Sequence, residues 1–275
     1  MSVATVARPN SLRDIPWAVW VLLAIALGLF LYMFTRPGFA PIGALATVAP
    51  VVFAAAVVYA RPSDRRFAWA ALFLAATPAI GLIAGVVPDA WFTYMPGDWK
   101  NGTPFIRDLA QFALDIARLL GLAGLFLFGL ALGGVRSFVS FLILALGVAI
   151  ALGNLTWTFA HPIDGFPLFD LAKSVTYATL HGIGLAFVFA AAVESLRNLT
   201  MIGSGLLFLN AVISAVLLWW TIGPDANLDL LSLILGGTTL LGWLALTAAA
   251  LRGELNSAPS RSRAGRGNAV RRPAG

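Results

Sequence analysis

The apolar residues of this chain fall in eight long runs, near 16–34, 39–60, 67–88, 109–132, 137–159, 171–193, 202–222 and 230–251, joined by short polar or Pro/Gly-rich stretches. A helix needs about 20 apolar residues, within a range of roughly 17–25, to cross a bilayer core, and each run has that length. Runs such as Trp17 to Phe34 are apolar on every side, so lipid rather than water must cover them. The pattern predicts an all-α polytopic membrane helix bundle of eight transmembrane helices. A single transmembrane domain, 16–251, follows a short segment, 1–15, and precedes a tail, 252–275. No small-residue cleavage site follows the first run, so it is read as a retained helix rather than a signal peptide.

Two runs break the apolar pattern along one face. In the fourth, Asp108, Gln111, Asp115 and Arg118 stand at i, i+3, i+7 and i+10, one stripe on a helix, while Leu119 to Val135 carries no charge. In the sixth, Asp170, Ser174, Tyr177 and His181 stand at i, i+4, i+7 and i+11, with Lys173 beside them. Asn210, Ser214 and Thr221 follow in the seventh run, and Asp229, Ser232, Gly236 and Thr239 in the eighth. Ionisable groups within a membrane helix are costly and face protein or water, which makes these residues the candidate site for a solute or ion. The expectation is a polar funnel lined by spans 4, 6, 7 and 8 and open to the outside. A plainer reading stands beside it. Asp115 and Arg118 form a local ion pair that snorkels to the interface, and His181 hydrogen-bonds Tyr177 as a packing residue. Proton transfer or metal binding is the sharper use of His181. His161 and Asp164 are weak metal candidates in a Pro/Gly-rich loop that reads first as a simple connection. No cofactor is expected.

Composition agrees with the class: 60% of residues are hydrophobic and 11% charged, with mean hydropathy +0.88, whereas soluble domains carry about a quarter charged residues. There is no cysteine, which excludes disulfides and thiolate metal sites. Only Lys100 and Lys173 are lysines among the 18 basic residues, a bias toward arginine that points to a high-GC bacterial genome. The location expected is therefore the bacterial cytoplasmic (inner) membrane. Arg8, Arg13, Arg61, Arg65, Arg66, Arg136, Arg197 and six arginines from Arg252 onward fall on one side. Arg36, Lys100, Arg107 and Lys173 fall on the other, so both termini are expected to be cytoplasmic. The tail cannot bury enough apolar surface to fold and should be disordered. Its arginines suit anionic lipids rather than nucleic acid.

Two loop motifs recur. Phe34 to Ile42 resembles Phe159 to Leu168, and Pro88-Asp89-Ala90 returns as Pro224-Asp225-Ala226. The second pair has the same spacing as Arg61 and Arg197. These matches are consistent with duplicated halves, 16–135 and 136–251, related by an axis along the membrane normal. The longest connection expected, Asp89 to Pro104, holds Trp91, Phe92, Tyr94 and Trp99, which read as an interfacial aromatic belt or a lid. Pro50 and Pro78 lie inside spans 2 and 3, where each removes a helical hydrogen bond.

No phosphate-binding loop or HExxH zinc motif is present, and Gly203-Ser204-Gly205 resembles a nucleophile turn only superficially. The chain carries no motif that assigns it to a family. The function expected is binding or translocation of a small solute, ion or proton. The rivals are an enzyme acting on lipid or isoprenoid substrates, with His181 or Asp115 as general acid or base, and a structural subunit of a membrane complex.

Overall fold

A computed structural model describes residues 15–35, 40–94, 103–160, 168–219 and 228–256. Among them the chain forms eight long helices: α1 (Trp17–Phe34), α2 (Pro41–Ala60), α3 (Arg65–Tyr94), α4 (Thr103–Leu132), α5 (Phe138–Ala160), α6 (Leu168–Ser195), α7 (Asn198–Trp219) and α8 (Leu228–Leu251). All eight are long and apolar enough to cross a membrane, and the protein is a multi-pass helical bundle. The helix positions match the apolar runs because length and composition alone decide whether a segment partitions into lipid. At the ends the structure differs from the sequence expectation. Helix α3 runs on to Tyr94 and α4 begins at Thr103, so both helices extend into the segment expected as the longest loop. Trp99 and the rest of that connection lie outside the described residues.

The described turns, those after α2, α4, α6 and α8, share one end of the bundle. Arg61 (φ 47°) and Leu196 (φ 53°) follow α2 and α6 in the left-handed conformation. After α8 the chain folds back as a 3-10 turn, Glu254–Asn256, with Leu255 buried. This turn lies within the segment expected as tail, and residues 257–275 are outside the described set. The Glu254 carboxylate accepts the backbone N–H groups of Leu199 and Thr200, each at 3.2 Å. It thereby serves donors that the α7 N-terminus cannot pair internally. Glu194 accepts the Ser137 N–H at 3.0 Å and the Ser140 hydroxyl at 2.9 Å before α5. Buried Arg197 stands 5.5 Å over the Phe67 ring. Burial pushes its pKa below the usual arginine value, against the opposing fields of Glu254 and Asp64.

The packing of the first four helices recurs in the last four. Helix α1 packs on α2, α2 on α3 and α3 on α4, and α1 also touches α3; α5 to α8 repeat each pairing. The most extensive contacts between the sets are α2 with α8 and α6 with α4, and these exchange under the same relabelling. Individual residues follow. A β-carbon on Gly124 of α4 would stand 2.9 Å from the Ala70 carbonyl oxygen of α3. One on Gly242 of α8 would stand 3.0 Å from the Gly203 carbonyl oxygen of α7. Only glycine allows backbones this close, as is usual where helices associate in lipid. Further along the same contacts, the Thr77 hydroxyl donates to the Ala117 carbonyl (2.9 Å) and the Asn210 amide to the Leu235 carbonyl (2.7 Å).

Candidate functional site

The polar faces of α4 and α6 meet. Asp115 is their centre: Lys173 of α6 forms an ion pair with it, Arg118 approaches it at 3.5 Å, and the Gln111 amide donates to it at 3.3 Å. The Arg118 guanidinium also lies 5.4 Å over the ring of Tyr177, a cation–π placement that favours arginine. Counting back from Leu132 at about 1.5 Å per residue puts Arg118 roughly 21 Å along α4, inside an apolar core of about 30 Å. A charge at that depth must face protein or water, and here it faces a cavity.

The cavity has a volume of about 960 Å³ and lies where α2, α3, α4, α6, α7 and α8 converge. Its polar lining is Thr47, Thr77, Arg118, Ser174, Tyr177, His181, Asn210, Ser214 and Thr239. Arg118 is the sole formally charged side chain among the described lining residues, with Asp115 and Lys173 set behind it rather than on the wall. The apolar wall includes Leu74, Leu122, Leu185, Leu207 and Trp243. From Ser174 to Leu185 along α6 the lining extends over about 16 Å of helix. Pro50 and Pro78 also line it. Lacking N–H groups, they cannot donate the usual helical hydrogen bonds to the carbonyls of Ala46 and Leu74, and both of these residues line the cavity too.

Most of the sequence candidates meet here. Arg118, Ser174, Tyr177 and His181 line the cavity, Asp115 and Lys173 brace it, and Gln111 supports Asp115. Asp108, two turns nearer the start of α4, is exposed and is not on the wall of this cavity. Asp170 falls on α6, but its side chain is outside what the structure describes, as are His161 and Asp164. The hydrogen bond expected between His181 and Tyr177 is not among those the structure shows. Among the described residues no three His, Asp or Glu side chains come close enough to hold a metal ion. Beyond spans 4, 6, 7 and 8, helices α2 and α3 complete the wall, contributing Thr47, Pro50, Thr77 and Pro78. In sequence Pro50 and Pro78 read as kinks and neither threonine stands out; the available signal was a hydroxyl next to an in-span proline at Thr77–Pro78.

The matching contact between the two sets of helices, α8 on α2, is apolar at the equivalent positions. Where Arg118 lies over Tyr177 between α4 and α6, a β-carbon on Gly236 of α8 would stand 3.2 Å from Ile42 Cγ2 of α2. This bundle can therefore seat such a helix pair without charge. No protein-family model, curated protein or solved structure matches the chain.

Proposed function

We propose that this multi-pass membrane protein is a carrier that binds a small solute bearing an anionic group in the cavity between its two four-helix halves. The observation that carries the reading is a large central cavity with one charged side chain on its wall, Arg118, surrounded by hydroxyls, an amide and two aromatic rings. A guanidinium recognises carboxylate or phosphate in bidentate fashion. Asp115 holds Lys173 as well as Arg118, so it does not fully neutralise the cations beside the cavity. Leu185, Leu207 and Trp243 offer the solute's body an apolar floor. The apolar Gly236–Ile42 contact argues that the ionic cluster serves a ligand rather than helix packing.

The halves 16–135 and 136–251 are read as a duplicated four-helix unit, supported by the matched pairings and by the parallel Thr77 and Asn210 hydrogen bonds. A site at the interface of parallel repeats is where rocking of one half against the other would alternate access. The excess of Arg on the turn side supports a reading with both termini in the cytoplasm and the cavity open outward. The membrane is read as the cytoplasmic membrane of a bacterium.

The test uses purified protein and a panel of aliphatic and aromatic carboxylates and phosphate esters, each paired with its neutral amide or alcohol. Thermal stabilisation by acids but not by their neutral partners, lost in Arg118→Gln, is the expected result. Equal response to charged and neutral members, or a full response in Arg118→Gln, overturns the reading. Access is tested separately, because the chain has no native cysteine. Ser174→Cys and Thr239→Cys on the wall should react with a membrane-impermeant thiol reagent applied to intact cells, and lipid-facing Leu142→Cys should not. Reaction only in inverted vesicles would reverse the orientation.

A further inference from the structure

Beside the central cavity, a second one of about 190 Å³ lies between α5, α6 and α7. The two share His181, Asn210 and Ser214, so any occupants would be neighbours. Asn154 of α5 lines the smaller cavity, is 6% exposed, and its Oδ1 has no hydrogen-bond partner. An unsatisfied buried acceptor costs about 1–3 kcal/mol, a cost that a bound ion or water at Oδ1 removes.

The other oxygens of this wall have no hydrogen left to give. The Thr179 hydroxyl donates to the Val175 carbonyl at 2.8 Å, and the Ser214 hydroxyl donates to the Asn210 carbonyl at 2.9 Å. The Asn210 amide nitrogen donates to the Leu235 carbonyl and to Thr238 Oγ1, at 2.7 and 2.9 Å. What remains on the side-chain oxygens of Asn154, Thr179, Ser214 and Asn210 is lone pairs. No carboxylate lines the cavity among the described residues. Hard cations take oxygen ligands, and a set of neutral oxygens without a carboxylate suits a single positive charge. At about 30 Å³ per water, the cavity has room for an ion with several waters.

We infer that this side cavity is a binding site for a small monovalent alkali cation, held by Asn154 Oδ1 with the hydroxyl oxygens of Thr179 and Ser214. Its role as co-ion rests on the solute reading above: a cation here would offset the charge of an anionic solute across the shared wall of His181, Asn210 and Ser214. Linkage would then make each ligand raise the affinity of the other. The site itself does not depend on that reading.

The test uses the full chain in detergent with no solute. NaCl, KCl and LiCl are each titrated against N-methylglucamine chloride at constant ionic strength, and thermal unfolding is followed by tryptophan fluorescence. One alkali cation should raise the melting temperature saturably, by about 5 °C at a hundredfold excess over its Kd. Asn154→Leu, which keeps the volume and removes the oxygen, should abolish the shift. Thr179→Val should weaken the apparent affinity at least tenfold and carries the test if Asn154→Leu does not fold. Identical melting in every alkali chloride and in N-methylglucamine overturns the site, as does a full shift in both variants. Because no organic anion is present, either failure leaves the solute reading to its own panel.

Discussion

Neutralising Asp115 tests the central cluster most directly. Asp115→Asn preserves the shape and an oxygen that the Gln111 amide can reach, and removes only the charge shared by Arg118 and Lys173. At 3.5 Å and an effective dielectric of 20, the Arg118 attraction alone is about 5 kcal/mol before desolvation. Desolvation offsets most of it. The side chains are 19% (Asp115), 25% (Lys173) and 40% (Arg118) exposed, between the surface regime of about 0.2–1 kcal/mol and the buried one of about 3–5 kcal/mol. We therefore expect Asp115→Asn to cost about 2 kcal/mol, measured by equilibrium unfolding in mixed micelles. Lys173→Gln should remove part of the same energy, and the double mutant should fall short of additivity by about 1 kcal/mol. The variant should also respond more strongly than the parent to the carboxylate panel, because two cations then stand without their shared partner. Stability within about 0.3 kcal/mol of the parent, or strict additivity with Lys173→Gln, would refute this account of the cluster.

Three further outcomes follow from the frame around the cavity. Gly124→Val and Gly242→Val should each destabilise by more than about 2 kcal/mol, since a side chain at either position would collide with the facing carbonyl and force the helices apart; unfolding of the two variants beside Gly237→Val, which meets open space, measures this. Glu254→Ala should cost about 2 kcal/mol, by uncapping α7 and removing a carboxylate that favours charged Arg197, and Glu254→Gln should recover part of it. Arg66 holds the Asp64 carboxylate below its ordinary pKa. Its contribution is therefore present above the unfolded value near pH 4 and lost as pH falls through the lower folded value; Asp64→Asn should erase that acid-side slope, which is no more than about 1 kcal/mol for so exposed a pair.

Much of the cavity's chemistry is legible in the sequence. A stripe at helical spacing in an otherwise apolar span has to face protein or water, so Asp115, Arg118, Ser174, Tyr177 and His181 announced themselves. Asn154 did not: a lone amide in an apolar span reads as a packing residue, and only the environment of its Oδ1 leaves it without a partner. Thr77 was hidden and Pro50 read only as a kink for a related reason, because one small polar group or one proline makes no periodic pattern.

The number of spans and the polar faces of α4 and α6 belong to the sequence, since both depend on composition and spacing within a single segment. Which faces meet was decided by tertiary packing. The pairing of Asp115 with Lys173, the closure of the cavity by α2 and α3, and the small chamber behind His181 depend on how each helix is rotated about its axis. In lipid that rotation is governed by close steric fits such as Gly124 on Ala70 and Gly242 on Gly203. Those fits join residues far apart in the chain, and no local pattern of apolar and polar positions encodes them.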